Sequence, residues 1–202
     1  MKDAPKGKIK IVKAFRELLN DKNFNSITTA ETAKTAGVTE GLIYKYFKDK
    51  RALLYEVLRE HYEKFLIQIE KDLLGIEGAS KKLKTIITSS LQSYANHRVF
   101  ARIVMLEARN SEDYFDSSAY KLVQRYNQII LEIIEEGKAN GEIREDIDSS
   151  YIRHAIFGSI EHACLKGAIF EQTLSSFAIS ENIYRILFEG ITQGTSNNYN
   201  FD

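Results

Sequence analysis

Tryptophan is missing from this 202-residue chain, and proline and cysteine occur once each, at Pro5 and Cys164. Proline breaks helix interiors, so a chain whose single proline stands near its start is open to long uninterrupted helices. One cysteine excludes an intramolecular disulfide. On an apolar helix such a thiol is either a redox group or, more commonly, a small buried hydrophobe. No apolar run approaches the roughly 20 residues that span a bilayer. The opening MKDAPKGKIK lacks the apolar stretch of a secretory signal. The expectation is a cytoplasmic protein with no membrane partner.

Sets of chemistry-bearing residues are lacking too. His61, His97, His154 and His162 are scattered, and His154 and His162 stand eight apart rather than at the i, i+4 spacing of a helical metal pair. There is no G-x-x-x-x-G-K or G-x-G-x-x-G phosphate loop. No nucleophile, acid or base constellation stands out. No metal, no cofactor and no enzymatic activity are expected.

Net charge is also absent, since 28 Lys/Arg balance 28 Asp/Glu. The distribution is uneven. Residues 1–50 hold 11 Lys/Arg against 6 Asp/Glu, leaving 17 against 22 for residues 51–202. A basic head on an acidic body suits a protein that meets phosphate at one end, although scatter could produce an imbalance of this size.

What the chain does have is helical periodicity. Ile11, Val12, Phe15, Leu18 and Leu19 recur at spacings of three and four, ending at the polar turn Asn20–Asn23. Phe24 and Ile27 read as core plugs in the loop that follows. Thr28-x-x-Glu31 reads as a capping box, and Gly37 as a left-handed C-terminal cap. Thr39 and Asp49 are candidate caps for helices at 40–47 and 49–74, the latter with Leu54, Leu58, Phe65 and Ile69 on one face. After a linker at Gly75–Gly78, helices are expected at 80–96, 99–109, 112–139, 148–171 and 179–193. The breaks fall near Asn96-His97, Asn110-Ser111, Asn140-Gly141 and Thr173–Ser176. The tail from Gly194 to Asp202 is polar. No strand-like alternation appears, so the class is all-α.

Thr28–Phe47 is a helix, a tight glycine turn and a second helix, the pattern in which the second helix enters the DNA major groove. Gly41 permits close approach. Tyr44 and Tyr46 offer hydroxyls on rigid rings, while Lys45, Lys48 and Lys50 offer charge for phosphates. Ile43 and Phe47, four apart, are expected to face the core. Three short helices in a bundle that never meets DNA would share some of these features.

The stretch ITTAETAKTAGVTEGLIYKYFKDKRALL resembles the TetR family of transcriptional regulators: a Thr-started helix, Ala-Gly-Val-Thr, an aromatic pair ending in Phe, then Lys and paired leucines. The strong resemblance covers about Ile9–Leu58. It implies an N-terminal three-helix helix-turn-helix domain at 1–50 and a C-terminal helical bundle at 51–202 for effector binding and dimerisation, joined by the helix from about 49 to 74. It further implies that Thr28 and Thr39 cap and touch phosphate, that Tyr44 and Lys50 reach the backbone, and that Glu40, Gly41, Leu42 and Lys45 approach bases. Two departures stand out. Thr32 replaces the usual Ile or Val, and Leu42 replaces a small or hydroxylic residue, so contact there would be apolar, as with a thymine methyl.

In the second domain Ala155, Ser159, Ala163 and Gly167 form a small-residue stripe at four-residue spacing. With Ile183, Ile186, Leu187 and Ile191 it suggests a homodimer face, although an intramolecular seam has the same pattern. Leu91, Tyr94, Ile103, Leu106, Phe115, Tyr126 and Phe157 could line a cavity between helices or be plain core. Phe157-Gly-Ser-Ile-Glu161 resembles a stretch of family members that sense fatty acyl-coenzyme A. The implied partners are double-stranded operator DNA, a second copy and a small apolar or amphipathic effector. The implied function is that of a ligand-released repressor. The alternative is an all-α ligand-binding or adaptor protein without DNA binding.

Overall fold

A computed structural model describes residues 5–170 and 175–191. Among these the regular elements are all helical: α1 Lys6–Asp21, α2 Thr29–Ala36, α3 Glu40–Tyr46, α4 Lys50–Leu73, α5 Ala79–Asn96, α6 Arg98–Ile103, α7 Ser118–Ala139, α8 Ser149–Phe170 and α9 Ser176–Phe188. The break expected at Thr173–Ser176 lies partly outside the described residues, as does the end of the last helix at 193. The tail from Gly194 lies wholly outside them. No helix among the described residues is long and apolar enough to cross a membrane.

Contacts group the described residues of 1–72 and 96–129 into one compact unit and those of 73–95 and 130–202 into another. The boundary expected at residue 50 lies within the first unit. There α1, α2 and α3 pack on one another. Their core runs through Ile11, Phe15, Leu19, Phe24, Ile27, Ile43 and Phe47 to Leu53, Leu54 and Leu58 of α4. Each such side chain contributes about 1.5–3 kcal/mol on burial, so the short helices are held by this core more than by their own propensity. Phe24 meets Phe15 edge-on at 6.4 Å, confirming its reading as a core plug. Thr32 is fully buried, and its hydroxyl donates to the Thr28 carbonyl at 2.8 Å. A polar side chain in that apolar site is thereby satisfied.

Two expected helices differ from their sequence reading. The helix at 99–109 becomes α6 followed by a wide π turn over Val104–Ala108. The helix expected from 112 begins at Ser118, and Glu112–Tyr114 form a separate 3₁₀ turn. Tyr114 explains that break. It is 2% exposed, contacts the rings of Tyr55, Phe115 and Tyr120, and shares a hydrogen bond with the Tyr62 hydroxyl at 3.1 Å. Anchoring such a ring against α4 outweighs continuing the helix.

In the second unit Gly141 (φ 73°) ends α7, with the Glu142 N–H reaching the Gly137 carbonyl at 2.8 Å. Gly137 itself is where α7 closes on the start of α5. A Cβ there would lie 2.6 Å from the Ala79 Cβ.

Candidate nucleic-acid interface

The α2–turn–α3 segment is fixed at both ends of its turn. Gly37 takes φ 65°, and the Val38 N–H closes on the Ala33 carbonyl at 3.0 Å. This six-residue cap lets α3 depart sharply from α2. At the far end of α2 the Thr28 hydroxyl accepts from the Glu31 N–H at 3.1 Å, as its reading as a cap requires. The Glu31 carboxylate receives the Lys22 ammonium at 2.5 Å and, more weakly, the backbone N–H of Thr28, the reciprocal contact of the capping box. The Lys22 bond is the main cause that holds this carboxyl below the usual range. Asp49 caps α4 by accepting from the Ala52 N–H at 2.8 Å. Thr39 stands at the N-cap position of α3 in an extended conformation but makes no side-chain capping bond.

The faces of α3 follow its helical phase. Ile43 and Phe47 are buried, as their spacing demands. Leu42 is the residue for which an apolar base contact is expected. It is half-buried against α1, where a Cβ on Gly7 would lie 3.0 Å from Leu42 Cδ2 and 3.6 Å from a Tyr46 ring carbon. The bare backbone of Gly7 provides a shelf, and Leu42 and Tyr46 occupy it, so Tyr46 also turns inward. What remains outward is Thr39, Glu40, Gly41, Tyr44, Lys45 and, just beyond the helix, Lys48. Tyr44 is 54% exposed.

Thr29 belongs to this face, although nothing in the sequence pattern singled it out. Its hydroxyl donates to the Glu40 carboxylate and shares a 3.1 Å hydrogen bond with the Tyr44 hydroxyl. The crossing of α2 over α3 makes the contact, and no local spacing encodes it. The result is a pre-set polar triad on an otherwise open helix.

The cations sort into two groups. Lys50, expected to reach a phosphate, is engaged within the chain: its ammonium donates to the carbonyls of Phe24 and Ile27, each at 2.8 Å, and lies 4.4 Å from the centre of the Phe24 ring. Burial, then the neighbouring charge of Arg51, holds this amine below its usual pKa. Lys8 and Arg16 tie α1 to α4 through Glu56 and Glu60. Burial works against ionising Glu56, yet hydrogen bonds from Arg59 and Lys8 prevail and keep its carboxyl below the usual range. Among the described residues of the head, Lys6, Lys10, Lys13, Lys22, Lys34, Lys45 and Lys48 are exposed, with Lys13 and Lys22 in ion pairs with Glu17 and Glu31.

The residues expected to line a cavity divide between the units. Leu91, Tyr94 and Phe157 are in the second, where Leu91 is buried and the other two half-buried. Ile103, Leu106, Phe115 and Tyr126 are in the first. Ile103 packs in the core shared with α1–α4, Leu106 and Phe115 are exposed, and Tyr126 meets Phe65 edge-on at 5.1 Å.

The small-residue stripe also divides. Ala155 is exposed, Ser159 and Ala163 are half-buried, and Gly167 is buried. Four-residue steps overshoot a 3.6-residue turn by about 40° each, so the stripe winds from solvent into the interior. On α9, Ile183 is buried and Leu187 half-buried, whereas Ile186 is 54% exposed and Ile191 is exposed as well. Cys164 is buried, and burial raises its thiol pKa to about 12, the profile of an inert hydrophobe. Among the described residues no group of three or more His, Cys, Asp or Glu could hold a metal ion.

Comparison with known proteins gives this geometry a context. Residues 11–57 match the family model described as bacterial regulatory proteins, tetR family, and residues 58–190 match that of the YsiA-like protein, C-terminal region. The fatty acid metabolism regulator protein of Bacillus subtilis is 28% identical over 183 residues, covering 91% of this chain and 94% of its own. The crystal structure of the transcriptional regulator FadR from Bacillus subtilis in complex with stearoyl-CoA aligns with TM-score 0.81 at 27% identity, over 91% of this chain and 99% of that one. Thermus thermophilus FadR in complex with lauroyl-CoA shares the fold, with TM-score 0.71 at 18% identity over 94% and 98% of the two chains. With both domain models matched end to end and the helix-turn-helix in place, the chain belongs to the TetR family of bacterial regulators and is a DNA-binding transcriptional regulator, not an enzyme.

Proposed function

We propose that the chain is a cytoplasmic, homodimeric repressor that leaves its operator when an amphipathic effector binds, with a long-chain fatty acyl thioester as the first candidate. The observation that carries the DNA half is the outward face of α3. Thr39, Glu40, Gly41, Tyr44 and Lys45 are presented to solvent while Ile43 and Phe47 lock the helix to the core. Two such helices on a dimer meet successive major grooves of a quasi-palindrome. The exposed part of α8 and α9, including Ala155 and Ile186, is the proposed contact between copies.

The effector half rests on the relatives whose structures hold stearoyl-CoA and lauroyl-CoA. It also rests on the apolar residues Leu91, Tyr94 and Phe157 of the second unit. Binding of effector and operator is reciprocal, with coupling typically about 1–3 kcal/mol. The test is selection of binding sites from random duplexes, followed by gel shifts on the selected sequence with and without palmitoyl-CoA. A selected palindrome released by the thioester supports the proposal. Release by no acyl thioester removes the effector assignment, and failure to select any duplex at low salt favours an adaptor that has lost DNA binding.

A further inference from the structure

Arg153 stands on the inward side of α8. Ser149, Ile156, Ile160 and Cys164 are buried on that helix, and helical phase puts Arg153 in the middle of the arc they define. Its Nε is buried and has no hydrogen-bond partner. Its Nη2 lies 2.7 Å from Nε2 of the adjacent His154. A guanidinium only donates, so in this contact the imidazole nitrogen is the acceptor. No carboxylate answers Arg153 among the described residues. Other cations of the same unit are answered: Lys82 by Glu136, Lys84 by Glu181, Arg144 by Asp146 and Arg185 by Glu189. In a segment richer in acids than bases, one inward-facing arginine without an acid is a site kept for a charge from outside. A half-buried guanidinium with an empty donor is costly, and an arriving oxyanion relieves that cost. Phe157, one turn further along and half-buried, supplies an apolar neighbour.

We infer that Arg153 anchors the anionic end of an amphipathic effector, a carboxylate or phosphate carried on an aliphatic chain, by donating from Nε and its guanidinium fork. The inference rests on the effector reading above and adds the residue that selects for charge. A free fatty acid and an acyl thioester of coenzyme A both offer this chemistry, and the probes separate them.

The experiment measures binding of palmitate, palmitoyl-CoA and neutral hexadecanol to the full-length dimer and to its Arg153→Gln and Arg153→Lys variants, with size-exclusion light scattering as control. The wild type is expected to bind at least one anionic probe more tightly than hexadecanol. Arg153→Gln should weaken that probe about tenfold or more while leaving hexadecanol unchanged. Arg153→Lys, which keeps the charge without the planar fork, should recover part of the loss. Whichever anionic probe is weakened identifies the source of the oxyanion. Equal weakening of hexadecanol, or dissociation of the dimer in both variants, overturns the inference in favour of a structural role. Unchanged binding of all probes by Arg153→Gln overturns it while the effector reading stands. A wild type that binds none of the three overturns both.

Discussion

The Lys50 ammonium donates to the carbonyl of Phe24 at 2.8 Å while lying 4.4 Å from the centre of the same residue's ring. A second carbonyl, that of Ile27, completes the clasp at 2.8 Å. The start of α4 is thereby bolted to the loop between α1 and α2. Lys50→Met should cost about 1.5–3 kcal/mol of stability, as for loss of a charged hydrogen bond, and leave the salt dependence of operator binding unaltered. Urea denaturation and a salt titration check the two halves. Unchanged stability with a shallower salt slope would return Lys50 to the phosphates.

The exposed lysines should dominate that salt dependence. A dimer neutralising on the order of 6–10 phosphates loses roughly 10³–10⁵ in affinity between about 50 and 200 mM salt. Lys45→Ala removes two charges per dimer and should lower the slope by about 2. The readout is the slope of log affinity against log salt for the selected operator.

Gly137→Ala sets two effects of opposite sign against each other. Alanine favours a helix interior by about 0.8–1 kcal/mol. Its Cβ, however, would fall 2.6 Å from both the Ala79 Cβ and the Ile143 Cδ1. The Ala79 atom is fixed to backbone and cannot swing aside, so overpacking of about 1–3 kcal/mol should win. A lowered melting temperature is the expected result.

His61 makes stability depend on acid. Its ring stacks on Phe100 with centroids 3.4 Å apart and meets His97 at 4.8 Å. Burial first, then the charges of His97, Lys64 and Arg16, lowers its pKa from 6.5 to about 3. A lowered folded-state pKa means that the unfolded chain takes up this proton first as the pH falls. The stabilisation is therefore complete above pH 6.5 and is lost on the way down to about pH 3, a change of a few kcal/mol at most. His61→Phe keeps the ring and removes the proton. The wild type should lose more stability than this variant over that window in chemical denaturation at stepped pH.

Much of the fold was legible because it rests on local patterns. The core positions Ile43 and Phe47, the caps at Thr28 and Asp49, and the glycine turns at Gly37 and Gly141 need only neighbours within a few residues. The outward residues of α3 were legible for the same reason, since helical phase assigns them. The contacts that Leu42, Tyr46 and Lys50 make within the chain were not legible because their partners, Gly7, Phe24 and Ile27, are distant in sequence. Thr29 was missed because Glu40 and Tyr44 reach it only after α2 crosses α3. The late start of α7 was hidden for a related reason: Tyr114 obeys its contacts with Tyr55 and Tyr62 rather than the periodicity of its own segment.

The wide turn after α6 gives the chain a spare residue. A π turn brings positions five apart onto one face, and Ile103, Val104 and Ala108 are all buried there. In an ordinary α-helix, five residues overshoot by about 140°, which would carry Ala108 away from Ile103. Shortening the segment by one, at the exposed Leu106, would make the same two side chains four apart and neighbours again on a plain α-helix. A single-residue gap in the alignment with a shorter relative therefore belongs at 104–108, where length can change by one while the buried face keeps its phase.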